Sequence, residues 1–190
     1  MNKADARRAF EAQRDGLTVG YAAAVIGRAA STITVLETYA VNGVERAQRY
    51  WALQGRILVG GRIVSPADAE HLRALRVTHV LSAESEQDDP HVAGIQFGRF
   101  AFPDDGAAYS PPLDVIRGAV SFARTVLAEP STVLYTHCRL GGSRGPSYAY
   151  LALRVLGRTS VEALDQCGRR QRYGDDLHAT YVAVIEQALT

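Results

Sequence analysis

From residue 56 onward the chain alternates short apolar runs with longer helical patterns, and this alternation restricts the possible fold more than any other feature. Residues 57–59, 77–81, 95–102 and 132–135 are rich in branched and aromatic side chains and have the length of strands. Between them lie helical stretches. Ser65 reads as an N-cap with Pro66 at the first helical position, opening a helix through residue 75. Pro111-Pro112 precedes a helix over residues 113–127, and helices over residues 145–156, 160–170 and 176–189 follow. Strands that are continuously apolar are buried on both faces, as in a parallel sheet covered by helices. The expected fold is therefore α/β, a central mainly parallel sheet flanked by helices.

The first fifty-two residues follow another pattern. Residues 4–14 are rich in Ala and Arg, with Phe10 as the one large apolar side chain. Residues 20–39 mix helix-favouring Ala22 to Ala24 with strand-favouring Thr32, Ile33, Thr34 and Val35. Asn42-Gly43 is a turn signal, and residues 44–53 return to a helical pattern. The expectation is a mainly helical extension over residues 1–52 before a domain over residues 53–190. A chain of 190 residues can bury a core without disulfides or metals. Its two cysteines, Cys138 and Cys167, make neither a disulfide framework nor a four-ligand zinc site, which suits a reducing cytoplasm. The apolar stretch Leu17 to Ile26 is broken by Gly20 and preceded by acidic residues, unlike a secretory leader, and no run reaches the ~20 apolar residues of a membrane span. A net charge of +1 gives no ground for expecting membrane or nucleic-acid partners. His71, His79, His91 and His178 lack metal-ligand spacing, so neither metal nor cofactor is expected.

The chemistry concentrates in Thr136-His137-Cys138-Arg139-Leu140-Gly141-Gly142-Ser143-Arg144-Gly145. The order is strand, glycine-rich loop, helix. Such a turn aims successive backbone N–H groups into one concavity at the positive end of a helix dipole, a cradle for a phosphate dianion. A cysteine at its mouth has its thiolate stabilised by the same amides. Arg144, in the first helical turn, can reach back and hold two phosphate oxygens with its planar fork. Cysteine, five residues, arginine is a loose pattern in an arginine-rich chain. Adding His137, Gly141, a preceding strand and a following helix makes it specific.

These residues resemble the signature of the cysteine-dependent protein tyrosine phosphatase superfamily. Cys138-Arg139-x-Gly141-x-Ser143-Arg144 is most similar to its dual-specificity branch. The likeness extends diffusely over residues 55–190 and leaves residues 1–50 outside. It implies a phosphatase that hydrolyses phosphotyrosine, and phosphoserine or phosphothreonine, in proteins through a phosphocysteine intermediate. It also implies Cys138 as nucleophile, Arg144 as clamp, and a phosphate site made by His137, Arg139, Leu140, Gly141, Gly142 and Ser143. His137 would orient the loop. The family's general acid is an aspartate some thirty residues before the cysteine, where Pro103-Asp104-Asp105-Gly106 stands here. Asp104 follows the proline, as in the family, and is preferred to Asp105, although the same four residues also make a turn.

One position departs from the family. Gly145 replaces the Ser or Thr whose hydroxyl helps the cysteine sulfur leave the phosphocysteine, which implies slow hydrolysis of the intermediate. A second class of function therefore stands beside the first, a phosphoprotein-binding module of low turnover. Phosphatases of phosphoinositides or inositol phosphates tend to carry loop lysines, and this loop has none; a 5′-phosphatase of RNA would want a broad basic track. A sulfur-transfer or arsenate-reducing enzyme also uses a cysteine on an anion loop, but the Pro-Asp segment and His137 point away from it.

Overall fold

The computed structural model describes residues 34–41, 44–51, 56–63, 66–84, 92–105, 109–139, 141–168 and 177–190. Two strands come first, β1 (Thr34–Val41) and β2 (Val44–Trp51), paired antiparallel with Val41 opposite Val44. This corrects the helical reading of residues 44–53. Glu45, Arg46, Ala47, Gln48 and Arg49 favour a helix locally, but cross-strand pairing overrides that preference. The helices expected before residue 34 lie outside the described residues, as do Asn42-Gly43, Ser65 and residues 85–91.

The second sheet follows the alternation read from the sequence. Its strands are β3 (Ile57–Gly60), β4 (His79–Ser82), β5 (Gln96–Arg99) and β6 (Leu134–His137), in the order β3-β6-β4-β5. Every pairing is parallel. The helices are α1 (Pro66–Ala74), α2 (Leu113–Leu127), α3 (Arg144–Val155), α4 (Ser160–Gly168) and α5 (Ala179–Leu189).

Side chains alternate between two cores. Ile57, Val59, Leu81 and Leu134 face a large cluster with Ile116 and Ala119 of α2, Tyr148 to Leu153 of α3, Ala163 of α4 and Ile185 of α5. Leu58, Val80 and Tyr135 point the other way, onto Ala69 and Leu72 of α1 with Val92 and Ile95. Period-two alternation along buried strands makes each run apolar on both faces. Arg56 closes one seam: its Nη2 donates to the carbonyls of Leu127 (3.0 Å) and Glu129 (2.6 Å), covering acceptors at the end of α2. β6 lies between β3 and β4, so the segment leaving its C-terminal end emerges at the centre of the sheet edge. In open parallel sheets that edge is where ligands bind.

Candidate active site

His137 ends β6 opposite Gly60 on one side and Ser82 on the other, and Cys138 follows it with 1% of its surface exposed. His137 is fully buried and stacks on Tyr135, ring centroids 5.6 Å apart and planes 18° from parallel. The hydroxyl of Tyr135 donates to the Gly61 carbonyl at 2.6 Å. The loop then turns back over the end of β3. Gly141 makes that turn possible: its φ is +69°, and a Cβ there would lie 2.6 Å from the Gly60 carbonyl carbon and 2.7 Å from its oxygen. Any side chain would collide with backbone. The Arg62 amide donates to the Arg139 carbonyl at 3.2 Å and ties the two turns together.

The loop passes into α3 through Ser143, and side-chain hydroxyls fix the first helical turn. Thr136 Oγ1 donates to the Gly145 carbonyl at 3.0 Å, and Ser147 Oγ donates to the Ser143 carbonyl at 3.1 Å. The positive end of α3 thus meets the segment that begins at Cys138. Gly145 packs against that segment closely. A Cβ on Gly145 would lie 3.2 Å from both the Cys138 nitrogen and the His137 Cα.

Arg144 is buried and held on all sides. Its Nη1 donates to the carbonyls of Ala83 at 3.0 Å and Phe102 at 2.8 Å. The remaining edge of the guanidinium meets two carboxylates: Nη2 lies 3.6 Å from Glu84 Oε1, and Nε lies 3.4 Å from Asp104 Oδ2. These are ion pairs rather than aligned hydrogen bonds, and Arg144 Nε makes none. Glu84 is itself buried and lies with its Oε2 3.2 Å from Arg62 Nη2, again without an aligned bond. A buried guanidinium needs a counter-charge, and Glu84 provides it from the end of β4.

Asp104 reaches the loop from beyond β5. Its Oδ1 accepts from the Ser143 hydroxyl at 3.3 Å, while its side chain stays 41% exposed. Phe102, two residues earlier, anchors the segment. Its ring meets Tyr148 edge-on at 5.8 Å and Tyr181 edge-on at 5.3 Å. The Tyr148 hydroxyl donates to the Phe100 carbonyl; burial pushes its phenol well up, and the Arg144 charge only partly opposes this. Tyr181 is pushed up to about 12, first by burial and then by the negative charge of Asp104, so it remains a donor at neutral pH.

The structure brings Asp104, Ser143 and Arg144 into contact at the mouth of the Cys138 loop. Asp105 is exposed. Arg139 is exposed, Gly142 is half-buried, and Leu140 lies outside the described residues. Three residues of the site went unread in the sequence. Glu84, Arg62 and Tyr181 belong to no motif in the sequence. For Glu84 a signal existed, because it lies two residues beyond the C-terminal end of a buried strand. Among the described residues no group of three or more His, Cys, Asp or Glu could hold a metal ion, and no helix is long and apolar enough to cross a membrane.

The parallel sheet with a Cys-x5-Arg loop leaving a central strand is a protein tyrosine phosphatase-like fold, which the chain shares with solved structures that include a dual specificity phosphatase from mouse. The chain is similar to PTPMT1 in complex with PI(5)P, with 18% identity and a TM-score of 0.57 over 70% of this chain and 90% of that one. Human DUSP28 matches at 16% identity and a TM-score of 0.56, over 70% of this chain and 86% of that one. The human tyrosine phosphatase-like serine/threonine/tyrosine-interacting protein matches at 13% identity and a TM-score of 0.56, over 71% and 91%. No family model matches the chain, and no curated protein sequence does.

Proposed function

We propose that this chain is a phosphatase that hydrolyses phosphomonoesters through a phosphocysteine on Cys138, acting on phosphotyrosine and on phosphoserine or phosphothreonine in proteins. One observation carries the reading: the Nε–Nη2 edge of the Arg144 guanidinium faces carboxylates at 3.4 and 3.6 Å, held there by two backbone carbonyls on its opposite side. An arginine pinned through Nη1 presents Nε and Nη2 as a fork, and two phosphoryl oxygens match that fork better than loosely placed carboxylates.

The reaction then follows in two displacements. The Cys138 thiolate attacks phosphorus in line, the phosphorus–oxygen bond breaks, and Asp104 gives its proton to the leaving oxygen. Amides of the loop and Arg144 stabilise the charge on the three equatorial oxygens. In the second step Asp104 takes a proton from water as that water attacks phosphorus, releasing phosphate and the thiolate. The cradle and Arg144 supply positive charge for both steps. A cytoplasmic site of action fits the free thiols of Cys138 and Cys167.

A second reading rests on Gly145. Without a hydroxyl at that position the phosphocysteine is long-lived, and the chain would capture phosphorylated partners more than turn them over. The likeness to a phosphatase-like interacting protein is in keeping with it.

The test is hydrolysis of p-nitrophenyl phosphate in the presence of EDTA. Activity should persist with the chelator and vanish in Cys138→Ser. Asp104→Asn should slow esters with poor leaving groups far more than those with good ones. Full activity in Cys138→Ser would exclude the mechanism; the leaving-group signature in Asp105→Asn would move the acid by one residue. Phosphotyrosyl and phosphothreonyl peptides, assayed beside vesicles containing phosphoinositides, decide the substrate class.

A further inference from the structure

The helix that carries Arg144 starts without a side-chain cap. Ser143 stands at the N-cap position of α3, yet its hydroxyl makes no capping bond and donates to Asp104 Oδ1 at 3.3 Å instead. The first turn carries no acidic side chain. Pro146, third in the helix, has no N–H, and the Ser147 amide donates to the Ser143 carbonyl at 3.1 Å. A cap from Ser143 would therefore take the Gly145 amide. That amide and the amide of Arg144 are the donors this turn can present to an anion. The turn is held instead from outside the helix, and through an acceptor. Thr136 on β6 is fully buried, and its one hydroxyl proton faces two carbonyls, Gly145 of α3 at 3.0 Å and Leu58 of β3 at 3.3 Å. The seam is tight, since a Cβ on Gly145 would lie 3.2 Å from the Cys138 nitrogen. Valine would suit a buried strand position as well as threonine does, without bringing a hydroxyl into it.

Resting on the phosphatase reading, we propose that Thr136 is a positioning residue for the phosphate clamp: its hydroxyl fixes the first turn of α3 onto the strand that leads to Cys138, and so keeps Arg144 and the amides of that turn aimed at a bound phosphoryl group. Thr136 lies two residues before Cys138, and Gly145 directly follows Arg144. One hydrogen bond thus ties the strand of the nucleophile to the helix of the clamp. Because it is made to a carbonyl, it leaves the N–H groups of the turn to the anion, which a cap on Ser143 would not. The bond is closed before any anion binds, so it serves the bound phosphate ester and the five-coordinate transition state alike.

Thr136→Val keeps the branched shape and removes the hydroxyl. Inorganic phosphate should bind about 5- to 10-fold more weakly to it by calorimetry, the worth of one hydrogen bond, and orthovanadate should weaken by the same factor. In step with both, kcat/KM for p-nitrophenyl phosphate should fall, mainly through KM. Thr136→Ser keeps the hydroxyl and should restore native phosphate affinity. Added to Arg144→Lys, Thr136→Val should cost little more, because the clamp it aligns has gone. Tyr150→Phe removes hydroxyl bonds to Ser160 and Glu186 elsewhere on α3; it should lower Tm and leave phosphate affinity unchanged. Native phosphate affinity in Thr136→Val would overturn the proposal. So would an equal loss in Thr136→Ser, a fully additive loss with Arg144→Lys, or an equal loss in Tyr150→Phe, which would make stability alone the cause. Should Thr136→Val not fold, Thr136→Ser and Thr136→Ala differ by the hydroxyl alone and carry the same comparison. Phosphate binding needs no turnover. A protein that binds phosphate but hydrolyses no ester loses the phosphatase reading while the phosphate comparison still decides the role of Thr136; one that binds no phosphate overturns the inference.

Discussion

Gly145 shows how little room separates a conservative change from a disruptive one beside Cys138. By sequence, a serine there restores a hydroxyl that the resembled family carries. The space around the residue says otherwise, since a Cβ would lie 3.2 Å from the Cys138 nitrogen and 3.3 Å from the His137 carbonyl carbon. Those neighbours are backbone and cannot swing aside. Gly145→Ala should therefore displace the loop by a few tenths of an ångström and slow formation of the phosphocysteine by about tenfold, since attack geometry is steep in distance. Gly145→Ser should share that loss in the first step and regain part of it in the second, where a hydroxyl helps sulfur depart. Rapid-quench kinetics separate the two steps. Equal first-step rates in the native protein and Gly145→Ala would show that the loop yields freely. Single residues were legible where chemistry is local: Cys138, Arg144 and Asp104 all carry sequence signals. Glu84 and Tyr181 owe their contacts with the site to neighbours that folding gives them, Arg144 and Phe102, and neither neighbour is near in sequence.

Among the elements, α5 has to be held in register against α3 if Tyr181 is to keep its ring against Phe102. A polar junction does this. Arg154 of α3 donates to Glu186 of α5 through Nε at 2.6 Å and Nη2 at 2.9 Å, and the Tyr150 hydroxyl donates to the same carboxylate. The hydrogen bonds from Arg154 are the main cause that holds the Glu186 carboxyl below its usual range; burial raises the Tyr150 phenol to about 12. A carboxyl with a lowered folded pKa stabilises the fold above its unfolded pKa and loses that contribution as pH falls through the folded one. Glu186→Gln should therefore cost about 1 kcal/mol at neutral pH, a charged hydrogen bond discounted for solvent screening. Urea unfolding at neutral pH and well below pH ~4 should show the gap closing in acid. A gap independent of pH would mean that the charge contributes nothing. The helices and parallel strands were legible because each buries a continuous apolar pattern. β2 was not, because its residues 45–49 favour helix on their own and become a strand only through pairing with β1. Asn42-Gly43, a hairpin signal between two short runs, was the clue that outweighed propensity.

For the molecule as a whole, the parallel sheet gathers the site from distant parts of the chain. Arg62 follows β3, Glu84 follows β4, Asp104 lies beyond β5, and Cys138 follows β6, all at C-terminal strand ends. Parallel pairing puts those ends on one edge, and the central place of β6 puts the cysteine among them. The proposed reaction depends at every step on covalent chemistry at that sulfur. The most direct measurement is mass spectrometry of the protein quenched in acid milliseconds after mixing with an aryl phosphate. The account predicts one phosphoryl group on Cys138 that forms and decays during turnover and never forms in Cys138→Ser. Turnover that persists in Cys138→Ser, with no phosphoryl group on the native sulfur at any time, would contradict it.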